Sequence, residues 1–174
     1  MKSKINYDRV TEWCAKEVTR QHAGPISVWH MYQAWDVAFK EGPRFWAGLP
    51  LVVSQRIEWI GQKVEPNKNL QGYRRCELSF PQDTPRATAV PYAMEEWCGS
   101  VAALRSGFSV LSKMDDRVKL RKMASSWTRR FLLIHPFADG NGRTAAIIFN
   151  MLMDSMEAPI TLPDFFNEPH RGKV

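Results

Sequence analysis

The segment after Gly142, "RTAAIIFNMLMDSM" (143–156), most constrains the fold, because apolar residues occupy nearly every side of the helix it would form. A helix that is apolar all round has to be buried. Apolar residues recur at helical spacing elsewhere and predict helices over 6–20, 26–40, 49–64, 91–104 and 116–134. In the helix over 26–40 the recurring positions are Ile26, Trp29, Tyr32 or Gln33, and Val37. The sequence therefore predicts a mainly α-helical bundle with 143–156 in its core.

One stretch interrupts the helical pattern. Between residues 75 and 80 polar and apolar side chains alternate, which is the period-two pattern of a strand. The alternating residues are Arg75, Cys76, Glu77, Leu78, Ser79 and Phe80. A turn-rich stretch and a second short extended piece follow, so we predict a β-hairpin over 72–90. A two-stranded ribbon is barely stable alone, and this one has to lean on the helices.

Length and composition are those of one ordinary domain. The 174 residues contain no repeat, low-complexity tract or linker, which predicts a single domain over 1–174. The net charge of +6 favours anionic partners, with a solvated basic face as the simpler alternative. The basic residues between 117 and 130 are assigned to such a face, and nucleic acid is not an expected partner.

Cysteine usage and hydropathy bear on the compartment. Cys14, Cys76 and Cys98 lie far apart, without the short spacing of a zinc site, and predict reduced thiols. No apolar run reaches transmembrane length, and the first residues lack a signal-peptide core. We expect a cytoplasmic protein without membrane contact, or one delivered into a target cell by a dedicated secretion system.

The densest cluster of reactive residue types is "HPFADGNGR" (135–143), just before the core helix. Gly140, Asn141 and Gly142 can adopt unusual φ values, which turn successive backbone N–H groups towards one spot. The first N–H groups of the next helix lack intrahelical acceptors and favour phosphate. Arg143 adds a cationic forked donor. The pattern predicts an anion site.

Other residues of the loop suit catalysis. Asp139 would repel phosphate unless its carboxylate holds Mg²⁺. His135 ends the preceding helix, where an imidazole can accept a proton from an incoming hydroxyl. Phe137 is predicted to plug into the core and fix the loop. Each feature alone has a structural explanation, such as a turn or a helix start, and it is their combination that favours function.

The loop resembles the signature of the Fic family (Fic/Doc superfamily), His-x-Phe-x-Asp/Glu-Gly-Asn-Gly-Arg-x-x-Arg, and matches every fixed position from His135 to Arg143. "GYRRCELSF" and "AVPYAMEEW" resemble the flap hairpin of the family and the start of its next helix. Residues 1–20 match no motif. The resemblance implies a helical fold in which the loop at 135–143 joins two central helices and the hairpin lies across the active site.

The resemblance also implies an activity: transfer of a nucleoside monophosphate, most often AMP from ATP, to a side-chain hydroxyl of a target protein. By position, His135 is then the general base, Asp139 holds Mg²⁺ and Phe137 anchors the loop. The implied anion hole consists of Gly140, Asn141, Gly142 and Arg143. The flap would align the target segment by strand addition, which uses backbone rather than specific side chains.

One position departs from the family pattern. Ala146 stands where the second arginine is expected, on the same helix face as Arg143. If it faces the donor, Ala146→Arg should fold and gain ATP-dependent transfer; if it packs in the core, the variant should be destabilised. The departure leaves two alternatives to AMP transfer: another phosphoryl-type transfer, as in a kinase, or a catalytically weakened binding protein. Gly142, where Doc-type kinases carry lysine, favours nucleotidyl transfer.

The sequence leaves regulation open. No segment matches the inhibitory Ser/Thr-x-x-x-Glu-Gly/Asn helix of the family, and the nearest candidate, "DFFNEP" (164–169), departs at both ends. Either a separate antitoxin-like protein supplies inhibition, which would make this chain a toxin component, or no inhibitor is needed.

Overall fold

A computed structural model describes residues 5–78, 84–113 and 116–163. Within these ranges the chain forms helices at every position where the spacing of apolar residues predicts one. They are α1 (Tyr7–Arg20), α2 (Ile26–Glu41), α3 (Pro50–Val64), α4 (Val90–Lys113), α5 (Arg117–Ile134) and α6 (Asn141–Leu152). Short 3₁₀ turns span Gly42–Trp46 and Ala87–Ala89. No helix in the described ranges has both the length and the apolar character that a membrane span requires.

Local chemistry explains where several helices begin. The Asn6 side chain caps α1 by accepting a hydrogen bond from the N–H of Arg9 at 3.1 Å. Asp116 caps α5 in the same way, with the N–H of Lys119 at 3.2 Å. In α3 the first turn carries Pro50, which has no N–H to leave unsatisfied. These caps supply acceptors or remove donors that a helix start cannot pair internally.

Helix α6 lies at the centre of the bundle, as its composition predicts. It packs against α1, α2, α3 and α5. All of its residues except Gly142 and Met151 are buried. The helix begins at Asn141, two residues earlier than the segment after Gly142 predicts. Its first turn therefore belongs to the loop at 135–143, which fixes that loop to the core.

Two of the residues that recur at helical spacing in α2 lie outside its buried stripe. Ile26 is 64% exposed and Trp29 is 56% exposed. Trp29 stacks on Tyr32 at the outer surface, with ring centroids 5.8 Å apart. The buried positions of the helix are instead Ser27, Met31, Ala34, Trp35 and Ala38. This stripe is buried because α2 packs against α1, α3 and α6 together, and the spacing alone does not say which stripe meets them.

The predicted β-hairpin over 72–90 is not confirmed. The described residues of this stretch, 72–78 and 84–90, contain no strand, and Ala87–Ala89 form a 3₁₀ turn. Ser79 and Phe80 lie outside the described residues, as does the segment 164–169. The two described arms are joined by the Glu77 carboxylate, which accepts a hydrogen bond from the N–H of Ala87 at 3.1 Å.

Candidate functional site

A cavity of about 490 Å³ lies between the loop at 135–143 and the segment 21–27, which leads from α1 into α2. Its volume lies within the usual range for small-molecule sites. Every predicted residue of the loop except Phe137 lines the cavity; of the described flap residues Leu78 lines it, and Arg75, Cys76 and Glu77 do not. The lining residues are Gln21, His22, Ala23, Gly24, Ser27, Glu65, Lys68, Leu78, His135, Ala138, Asp139, Gly140, Asn141, Gly142 and Arg143.

His135 ends α5 in a conformation that few residues adopt. Its φ is 49° and its ψ is 61°, in the left-handed region. The carbonyl oxygen of His135 accepts a hydrogen bond from Arg74 Nε at 2.8 Å, and that of Pro136 accepts one from the N–H of Arg74 at 2.8 Å. These bonds hold the backbone of His135 in a strained geometry that directs the chain into the loop.

Arg74 is a site residue that the sequence reasoning missed. It is buried, and besides His135 it donates to the carbonyl oxygens of Cys76 and Pro85. It therefore connects the loop at 135–143 to both described arms of the predicted flap. The signal in the sequence is the pair Arg74–Arg75. The strand pattern assigns a role to Arg75, which is exposed, whereas the buried arginine is Arg74.

Phe137 is the core plug that the sequence predicts. Its side chain is fully buried and packs on Tyr73 and Phe131, with ring centroids 5.4 and 6.4 Å away. The ring lies directly over Gly61 of α3, where an added Cβ would be 2.1 Å from Phe137 Cζ. A glycine is thus required at 61 for the ring to be seated.

Two asparagines hold the loop by its backbone. The Asn141 side chain accepts from the N–H of Phe137 at 2.9 Å and donates to the carbonyl of Phe137 at 2.8 Å. Asn69, which is also buried, donates to the carbonyl of Asp139 at 2.9 Å and accepts from its N–H at 3.3 Å. The loop is therefore fixed at both of its bends.

The structure refines the anion site. Of Gly140, Asn141 and Gly142, only Gly140 has a positive φ, 75°, while the other two form the first turn of α6. The N–H groups available to an anion are therefore those of a helix start. A Cβ added at Gly142 would lie 2.4 Å from Gln21 Oε1, which is the far end of a flexible side chain that can move aside.

Asp139 has cationic and N–H partners. Its carboxylate forms an ion pair with Lys68, and Oδ1 accepts the N–H of Gly140 at 2.6 Å. Burial raises the pKa of this carboxyl, but the hydrogen bonds from Lys68 and Gly140 outweigh it and lower the pKa overall. The carboxylate is half-exposed at the cavity and already faces a cation. No cluster of several acidic, histidine or cysteine ligands occurs in the described chain.

Arg143 is buried and turned towards the protein rather than towards the cavity centre. Its Nη2 lies 3.1 Å from Glu65 Oε2 and 3.5 Å from Asp139 Oδ1, and Nη1 donates to the Val64 carbonyl at 3.3 Å. The guanidinium thus connects α6 to the end of α3. Its charge is largely matched by the neighbouring carboxylates.

Ala146 does not face the cavity. It is fully buried in the hydrophobic core and is not among the residues that line the site. The expectation that Ala146→Arg folds and reaches the donor is therefore corrected: an arginine would have to be placed in the core. The sequence could not decide this, because α6 is apolar on all sides.

The fold and the site define a helical protein in which a histidine, a carboxylate and a helix start share one cavity. Residues 59–153, more than half of the chain, match the sequence model of the Fic/DOC family. The chain belongs to this family, whose members are commonly transferases. Neither the curated proteins nor the solved structures contain a match to it.

Proposed function

We propose that this chain transfers AMP from ATP to a hydroxyl side chain of a target protein. The observation that carries the proposal is the convergence of His135, Asp139 and the first turn of α6 in one cavity. A base, a cation-binding carboxylate and an anion site are the parts that nucleotidyl transfer needs. The chain also carries a net charge of +6, which suits a polyphosphate substrate.

In the proposed reaction the oxygen of the target hydroxyl attacks the α-phosphorus of ATP. A new phosphorus–oxygen bond forms to the target, and the bond between the α- and β-phosphates breaks to release pyrophosphate. His135 accepts the proton of the hydroxyl. Developing negative charge on the α-phosphate is met by the N–H groups at the start of α6, including that of Gly142, and by the positive end of the helix dipole.

The residues present fit a magnesium ion at Asp139. Magnesium commonly binds one or two carboxylates and completes its coordination with phosphate oxygens and water. Asp139 offers one half-exposed carboxylate that already attracts an ammonium group. Bound there, the ion would neutralise charge on the phosphates and polarise them. Arg143 holds Asp139 and Glu65 in place beside it.

We assign target docking to the flap region and propose that the target adds a strand along residues 75–80. Arg75, Cys76 and Glu77 are exposed, and Leu78 lines the cavity, so a segment bound there lies next to His135. Within the proposal the protein acts in the cytoplasm, or in a cell into which it is delivered. A separate antitoxin-like inhibitor and a role as a toxin belong to the same proposal.

The experiment compares label transfer from ATP in the wild type and in His135→Ala, using a cell lysate as the source of targets. We expect transfer of an α-phosphate label, reduced at least roughly 10²- to 10⁴-fold by the substitution. ATP affinity should change little, because the base acts on the hydroxyl.

His30→Ala removes an imidazole from α2 outside the cavity and serves as the control. Transfer of a γ-label alone would identify a kinase instead. Full activity of His135→Ala would refute the assignment of the base, and no transfer from any donor would leave a binding protein.

A further inference from the structure

The described residues that line the cavity supply few cations for the charge of a polyphosphate. The guanidinium of Arg143 is buried, and Glu65 and Asp139 pair with it at 3.1 and 3.5 Å. Helix α6 adds no further cation to the cavity lining after Arg143, because its next turn is buried in the core. Lys68 is the one lysine among the described residues that line the cavity.

Lys68 combines a fixed backbone with an exposed side chain. Its neighbour Asn69 is buried and donates to the carbonyl oxygens of Gly61 and Asp139, both at 2.9 Å. The Lys68 side chain itself is 61% exposed and reaches across to Asp139 Oδ2. The lysine is therefore anchored beside Asp139 while its ammonium group can move.

The ion pair between Lys68 and Asp139 is easily exchanged. Both side chains are partly exposed, and ion pairs of this kind contribute little to stability. A divalent cation that binds Asp139 repels the ammonium group from the same carboxylate. The flexible lysine stem would then leave the ammonium group beside the phosphates of a bound nucleotide.

We propose that Lys68 is the ligand of the outer phosphates: it pairs with Asp139 in the empty site and moves to the β- or γ-phosphate when a metal–nucleotide complex binds. The proposal rests on the proposed function in taking the ligand to be a nucleotide polyphosphate. It assigns a binding role to a residue outside the loop at 135–143, in the segment that follows α3. A lysine placed here adjusts to phosphate chains of different length.

The test measures binding by calorimetry for AMP, ADP and the non-transferable analogue α,β-methylene-ATP, each with Mg²⁺. Lys68→Met should weaken the analogue and ADP about tenfold and leave AMP within about twofold, since AMP lacks outer phosphates. Lys68→Arg should retain most of the affinity. Lys40→Met is the control. It removes another exposed lysine that pairs with an aspartate, Asp36 at 2.6 Å on α2, and should leave all nucleotide affinities unchanged.

The opposite outcomes are distinct. If Lys68 only neutralises Asp139, Lys68→Met should bind the metal–analogue complex more tightly, and that result overturns the proposal. Equal weakening of AMP and the analogue overturns it too. If Lys68→Met weakens binding of the analogue by the same factor without Mg²⁺, the proposed movement of Lys68 away from Asp139 is overturned.

The result also separates this proposal from the proposed function. If His135→Ala stays active while Lys68→Met behaves as expected, only the catalytic assignment fails. If the wild type binds none of the nucleotides, both fail.

Discussion

A methyl group added at Gly61 tests how the core sets the geometry of the site. In Gly61→Ala the new Cβ would lie 2.1, 2.3 and 2.5 Å from Cζ, Cε1 and Cε2 of Phe137. Ordinary contacts of a Cβ atom begin at 3.4 Å, so the ring has to move by more than an ångström. Phe137 is joined by both backbone groups to Asn141, and the loop should move with it.

Two effects of the substitution oppose each other. Alanine is favoured over glycine within a helix by about 1 kcal/mol. Overpacking a well-packed core costs up to about 3 kcal/mol, and a clash this deep with a fully buried ring belongs at the upper end. We therefore expect a net loss of about 2 kcal/mol in the free energy of unfolding. A displacement of about 1 Å at His135 should also lower transfer roughly 10²-fold.

Urea unfolding and label transfer measure the two effects. Gly99→Ala on α4 is the control, because its new Cβ meets the Pro50 side chain with Cγ at 3.3 Å and Cβ at 3.7 Å, and the variant should stay within about 1 kcal/mol of the wild type. Combining Gly61→Ala with Phe137→Leu removes ring atoms from the clash and should recover part of the stability loss of Gly61→Ala. A Gly61→Ala protein that is more stable than the wild type and fully active would refute this account of the loop.

Two further variants address the anion site and the core. Asp139→Ala should lose the dependence of nucleotide affinity on Mg²⁺, because it removes the carboxylate that can hold the ion; an unchanged response to Mg²⁺ in titrations would show that Asp139 only shapes the turn. Ala146→Arg should lose at least about 3 kcal/mol of stability, since it places an unpaired charge in a fully buried position. A melting curve equal to that of the wild type would show that the core opens at residue 146.

The features that depend on neighbouring residues could be predicted from the sequence. The spacing of apolar side chains gave the helices, and the all-round apolar character of the segment after Gly142 placed α6 in the centre. The loop at 135–143 carried its own chemistry, and Phe137, flanked by loop residues, indicated a core plug that the structure contains. Such signals are short-range, because helix periodicity, capping and turn preferences act within a few residues.

Which distant residues meet could not be predicted from the sequence and is seen in the folded chain. The loop is contacted by residues from about seventy positions earlier in the chain. Lys68 pairs with Asp139, Glu65 pairs with Arg143, and Arg74 donates to the carbonyl of His135. The folded chain also shows that Trp29 faces outwards and Ala146 inwards. The physical reason is that an apolar helix face or a charged side chain is compatible with several neighbours. The packing of α1, α2, α3 and α5 around α6 selects among them.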